Sequence, residues 1–178
     1  GLVLAPMSIL WMVGSFIASS LMEKHTTKKV LTIGLTITLL GGIFLVLVPV
    51  SISFIWFFAI SSVLGIGFGI TITTTTVNAQ SSVDPSEVGV ATSFNTLVRT
   101  IGQTLMVSIF GVIINAVTTS ELAKSSLDVD PDVMNKLVNP HTANTISAEL
   151  LEPLRGMLYA GLHNVYIVGI GLIIAAMV

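Results

Sequence analysis

Residues 30–83 read VLTIGLTITLLGGIFLVLVPVSISFIWFFAISSVLGIGFGITITTTTVNAQSSV, without one charged side chain. An α-helix rises 1.5 Å per residue, so about 20 residues cross ~30 Å of hydrocarbon. This stretch is long enough for two crossings, and Pro49 to Ser53 supply a turn between them. Working outward, residues 1–22, 100–120 and 156–178 are equally free of charge. The pattern predicts five transmembrane helices, near 1–22, 30–48, 54–78, 91–118 and 157–178, with a long loop over 119–156. Composition agrees: 53% of residues are hydrophobic and 9% charged, against about 25% charged in soluble domains. A water-soluble fold of this size could not cover its surface with seven basic and nine acidic side chains. The expected fold class is all-α, a polytopic transmembrane bundle whose solvent and first partner is membrane lipid.

The same numbers exclude several function classes. A net charge of −2 offers no basic surface for nucleic acid. Without cysteine there is no disulfide framework, thiolate metal site or thiol nucleophile. No G-x-S-x-G, H-E-x-x-H or apolar carboxylate pair appears, so enzymatic activity is not expected. No metal or cofactor is implied, because His25 and His141 stand in loops without ligand spacing. The chain opens on Gly-Leu-Val and closes on an apolar run, and it reads as part of a longer polypeptide.

Orientation follows the basic residues. The connection 23–29 carries three of the seven, which places it in the cytoplasm. Alternation then puts 49–53 outside, 79–90 inside and 119–156 outside. Asp84-Pro85-Ser86-Glu87 has the order of an N-cap, proline at N1 and glutamate at N3, predicting a helix start at residue 85. Asp130-Pro131 predicts a short helix through Val138, stopped by Asn139-Pro140. Leu150 to Tyr159 is expected on the membrane surface before the last span turns in.

Three features are candidates for function. Gly65-Ile66-Gly67-Phe68-Gly69 lacks the spacing and lysine of a nucleotide loop; the Gly65/Gly69 interval is a face on which another helix can approach closely, and Gly14/Ala18 repeats it. The polar run Thr71, Thr73 to Thr76, Asn78 and Gln80 either bonds back to its own helix or faces a watery cavity, and the two are compatible. On the fourth span Thr92, Asn95, Thr96, Arg99, Gln103 and Met106 share one face, and Phe94, Val98, Ile101, Leu105, Ile109 and Val112 share the opposite one. Arg99 is the lone charge between Glu87 and Glu121. Either it snorkels to the cytoplasmic interface, or it points into a cavity to meet a carboxylate or an anionic substrate group. Fifteen residues past the cap, about 22 Å along the helix, it is deeply placed. No Asp or Glu lies within a span, and His163 beside Asn164 reads as interfacial.

Taken in order, Gly1 to Pro6, the basic turn Leu21 to Gly34, Gly65 to Gly69, and Gly89 to Gly102 resemble one family. The sequence is similar to the C-terminal half of the 14-helix drug:proton antiporters of the major facilitator superfamily, the EmrB/QacA type. The resemblance implies that the five spans are helices of a six-helix C-terminal half, with 1–22, 54–78 and 91–118 lining a cavity and 30–48 and 157–178 as scaffold. It places Ser19 or Ser20 where the family's cytoplasmic loop has its opening glycine, and Glu23 at the acidic position. It further implies a multi-pass protein of the plasma or inner membrane, partnered by an N-terminal bundle of the same polypeptide that carries the proton-binding acids. The implied function is proton-coupled efflux of hydrophobic or cationic compounds, with Asn95, Arg99 and Gln103 lining the cavity and Trp11 and Phe68 as aromatic contacts. A transporter of another solute (metabolite, peptide or siderophore) and a non-transporting membrane scaffold are the alternatives.

Overall fold

The computed structural model describes residues 4–49, 53–125, 133–139, 141, 142, 144 and 146–178. These form six helices and no strand: α1 (Leu4–Met22), α2 (Thr27–Leu47), α3 (Phe54–Ser81), α4 (Val88–Lys124), α5 (Val133–Val138) and α6 (Ala148–Met177). All but α5 are long and apolar enough to cross a membrane. The fold is an all-helical, multi-pass membrane bundle.

Helix ends follow local chemistry. Pro6 sits in the first turn of α1, where its missing N–H has no intrahelical partner to lose. Thr26 and Ser53 take extended backbone as the N-caps of α2 and α3, and Pro49 follows the last bond of α2, from the Val48 N–H to the Phe44 carbonyl. The α3 helix runs past 78 to Ser81, and two of its hydroxyls bond back to the helix: Thr75 Oγ1 donates to the Thr71 carbonyl (3.0 Å) and Thr76 Oγ1 to that of Ile72 (2.8 Å). Residues 85–87 form a turn, closed by the Glu87 N–H on the Asp84 carbonyl (2.8 Å). The α4 helix therefore starts at Val88 and not at Pro85, since that i→i+3 bond winds tighter than an α turn. In place of a surface segment followed by a bend, α6 is one continuous helix from Ala148 with Pro153 inside it. It and α4 shorten the 119–156 loop from both sides. The Asp130-Pro131 cap, Pro140, and Val50 to Ile52 lie outside the described residues.

The chain divides into two compact units, one of residues 1–104 with 169–178, the other of 105–168. In the first, α3 is the central helix and its glycines face two ways. A methyl group added to Gly65 would press on the backbone of Met7 in α1, and one on Gly69 on that of Trp11, Gly14 and Ser15. Gly67 faces α2, where an added Cβ would lie 2.8 Å from the Thr38 nitrogen. Gly34 of α2 sits as tightly against Ile70 and Thr71. Ala18, Val30 and Ile70, one from each helix, bury together in this seam. Association in lipid has no hydrophobic drive, so close backbone packing and hydrogen bonds hold such helices together. The Thr73 hydroxyl donates to Ser15 Oγ across α3 and α1 (2.9 Å), and Ser15 donates to the Trp11 carbonyl (3.1 Å). Thr73→Val is expected to cost about 0.6 kcal/mol, the average for such bonds, read as a small drop in melting temperature in detergent.

Within the second unit, Gly161 of α6 meets Ile114 of α4, with 3.4 Å to an added Cβ. Thr118 is buried and bonded to the Ile114 carbonyl (2.8 Å), and Leu154 and Val133 are buried. Lys124 and Glu121 pair at 2.8 Å on the surface, a contact of a few tenths of a kcal/mol.

Candidate functional site

The polar face of α4 meets the polar end of α3 in two rungs. Gln80 Nε2 donates to Thr92 Oγ1 (3.0 Å), and Thr92 Oγ1 donates to the Val88 carbonyl (2.7 Å). Asn95 Nδ2 donates to Thr76 Oγ1 (3.2 Å), which donates to the Ile72 carbonyl. In each rung an amide gives a proton to a hydroxyl, and the hydroxyl passes its own to a helix carbonyl. Neither hydroxyl is left unsatisfied, a requirement at membrane depth. Of the threonine run, Thr75 and Thr76 bond back to their own helix and Thr76 also receives Asn95, while the Thr71 and Thr74 hydroxyls are buried without a hydrogen-bond partner among the described residues.

Arg99 lies on the helical face that carries Thr92 and Asn95, and it is half-buried; Gln103 is exposed. Among the described residues neither side chain has a hydrogen bond or an ion pair. Because α4 starts at Val88, Arg99 stands about 16 Å along it, shallower than the 22 Å expected from a start at the cap. On the other side of α3, the Trp11 and Phe68 rings lie 6.4 Å apart and tilted by 44°. Gly14, Gly65 and Gly69 draw the backbone of α1 against α3 and so hold Trp11 beside Phe68; Ala18 is buried a turn beyond Gly14.

An open cleft of about 560 Å³ runs between the end of α3 and the start of α4, walled by Ala79, Val83, Val90 and Phe94 with Glu87 and Asn95 as its polar members. Of the five candidate cavity residues, Asn95 therefore does two jobs: it lines this cleft and ties α4 to α3. Trp11 and Phe68 come together, while Arg99 and Gln103 keep free polar groups. The reading from sequence missed Glu87 as a wall residue and missed the pairing of Gln80 with Thr92.

The arrangement offers two free polar side chains and an aromatic pair, with no grouping of His, Asp and Glu able to hold a metal among the described residues. Residues 1–107 match the family model of the Major Facilitator Superfamily, a span that includes all nine of the candidate residues. No curated protein and no solved structure matches the chain.

Proposed function

The chain belongs to the major facilitator superfamily, a family of membrane transporters, and from that premise we propose that it is the C-terminal part of a proton-coupled multidrug efflux transporter in the cell membrane. In this reading Arg99, Gln103 and Asn95 form the polar side of a substrate cavity, and Trp11 with Phe68 forms its aromatic side. A missing N-terminal bundle supplies the other wall and the proton-carrying carboxylates, since no Asp or Glu falls within the charge-free spans of this chain. Alternating access then moves the two bundles against each other around the site. The observation that carries the reading is the tilted Trp11–Phe68 pair, held in place by the glycine contacts between α1 and α3. Aromatic faces with few fixed polar partners suit hydrophobic cations of varied shape.

The test is transport by the complete polypeptide in everted membrane vesicles. Energising the vesicles with a proton gradient is expected to drive uptake of hydrophobic cationic dyes, and adding dye to release protons. Vesicles that move dye no faster than empty ones, whatever the gradient, would remove the efflux reading. Trp11→Ala is expected to raise KM for a cationic dye about two- to five-fold, the range for ~0.5–1 kcal/mol of cation–π attraction. KM for a neutral substrate of similar size is expected to change less. One observation favours a second reading: a half-buried Arg99 without an ion-pair partner among the described residues also suits a small anionic solute. Uptake of carboxylates or phosphates in place of dye export would select it.

A further inference from the structure

At the start of α2, away from the wall just described, His25, Lys28 and Lys29 converge with Thr32 and Ile33 on an open cleft of about 460 Å³. The three basic side chains are exposed. Glu23 is the only carboxylate in residues 1–83, and none of these bases forms an ion pair among the described residues. The Thr32 hydroxyl gives its proton to the Lys28 carbonyl (2.9 Å), so the donors left to the cleft are the basic groups. Charge-free sequence begins at Val30, which sets Lys28 and Lys29 at the height where a membrane turns from hydrocarbon to headgroup. From Lys29 one face of α2 continues through Ile33, Leu40, Phe44 and Leu47, all exposed.

We propose that this cleft is a binding site for an anionic phospholipid, its phosphate held by His25, Lys28 and Lys29 and an acyl chain lying along Ile33, Leu40 and Phe44. Cation and apolar track stand in the order in which a phospholipid presents its own phosphate and chain. A zwitterionic lipid brings a cation of its own to the same three bases and so binds less well. A free phosphate gains the charge but not the track, so a lipid is the occupant that uses the whole feature. The site is independent of the substrate wall and of what the protein transports.

Native mass spectrometry of the complete polypeptide, released from detergent and titrated with phosphatidylglycerol, phosphatidylcholine or inorganic phosphate, tests this. Retention of phosphatidylglycerol at least about ten-fold tighter than phosphatidylcholine is expected, given a factor of about five for each basic group at a membrane surface. Lys28→Gln with Lys29→Gln is expected to weaken phosphatidylglycerol binding about 30-fold, and the two arginine replacements to keep it. Lys24→Gln, a neighbouring base that does not line the cleft, is expected to leave it unchanged. Equal binding of the two lipids, an unchanged preference in the double glutamine variant, or an equal loss from Lys24→Gln would overturn the proposal. So would inorganic phosphate binding as tightly as phosphatidylglycerol, which would make the cleft a free-anion site.

Discussion

Replacing Gly69 with leucine is expected to push α1 off α3 and to lower the melting temperature of the detergent-solubilised protein by on the order of 10 °C, with a matching loss of protein in the membrane. A Cβ at position 69 would lie 2.9 Å from both the Gly14 Cα and the Ser15 nitrogen, and closer still to the Trp11 carbonyl oxygen. All three are main-chain atoms, so no rotamer change relieves the overlap and the two helices must separate. Overpacking by a methylene or two costs about 1–3 kcal/mol; a leucine here adds four carbons and lies at the upper end or beyond. For a chain of this length ~3 kcal/mol is roughly 6–12 °C. Separation also breaks the Thr73–Ser15 bond and moves Trp11 away from Phe68. Gly42→Ala is the internal control: its Cβ would meet only side chains, Ile170 at 3.4 Å and Ile173 at 4.0 Å, and its melting temperature is expected to stay within a degree or two. A Gly69→Leu protein that melts with the parent would show that α1 and α3 do not pack through this glycine.

That prediction draws on the part of the fold most open to reading from sequence. The interval of four between Gly65 and Gly69 marks a helix-packing face because backbone approach in lipid needs small residues. What the interval does not carry is the partner. Gly67, two residues from each, points to the far side of α3 and takes Thr38 of α2; three alternating glycines therefore serve two neighbours. Helix ends were legible where a proline or an extended cap stops the ladder, as at Pro49 and Ser53, and illegible where a turn of different pitch leads in. Asp84-Pro85-Ser86-Glu87 has every residue type of a capping box, yet the Glu87 N–H closes on the Asp84 carbonyl and the α pitch begins a turn late. Likewise Pro153 and the charges at 149–155 resemble a break, while α6 continues through them, since a proline near a helix start displaces few hydrogen bonds.

The polar site shows the same division. Periodicity alone put Thr92, Asn95, Arg99 and Gln103 on one face, because a 3.6-residue repeat is a property of a single helix. Which of them spend their polarity on the neighbouring helix depends on register between two helices, and no single-helix pattern encodes it. The rungs at Thr92 and Asn95 consume the lower half of the face. Farther along α4, Arg99 and Gln103 have no hydrogen bond or ion pair among the described residues. An amide in a rung is a strut, and a guanidinium beyond the last rung is a group waiting for a partner.

Arg99→Ala in the complete transporter is accordingly expected to reduce the initial rate of transport at least ten-fold while membrane insertion and melting temperature stay near those of the parent. Insertion is spared because the substitution removes a charge that is costly to place within a membrane span and no hydrogen bond or ion pair among the described residues is lost with it. Transport suffers because the residue shares the face of Thr92 and Asn95, which turn toward α3, and not the exposed apolar face of Phe94, Val98 and Ile101. An arginine serving only as an interfacial anchor would work as well as lysine. Arg99→Lys therefore separates charge from shape: a planar fork gripping a substrate or a carboxylate of the other bundle loses most of its activity as a lysine, whereas an anchor loses almost none. Transport by Arg99→Ala at the parental rate would return Arg99 to the interface.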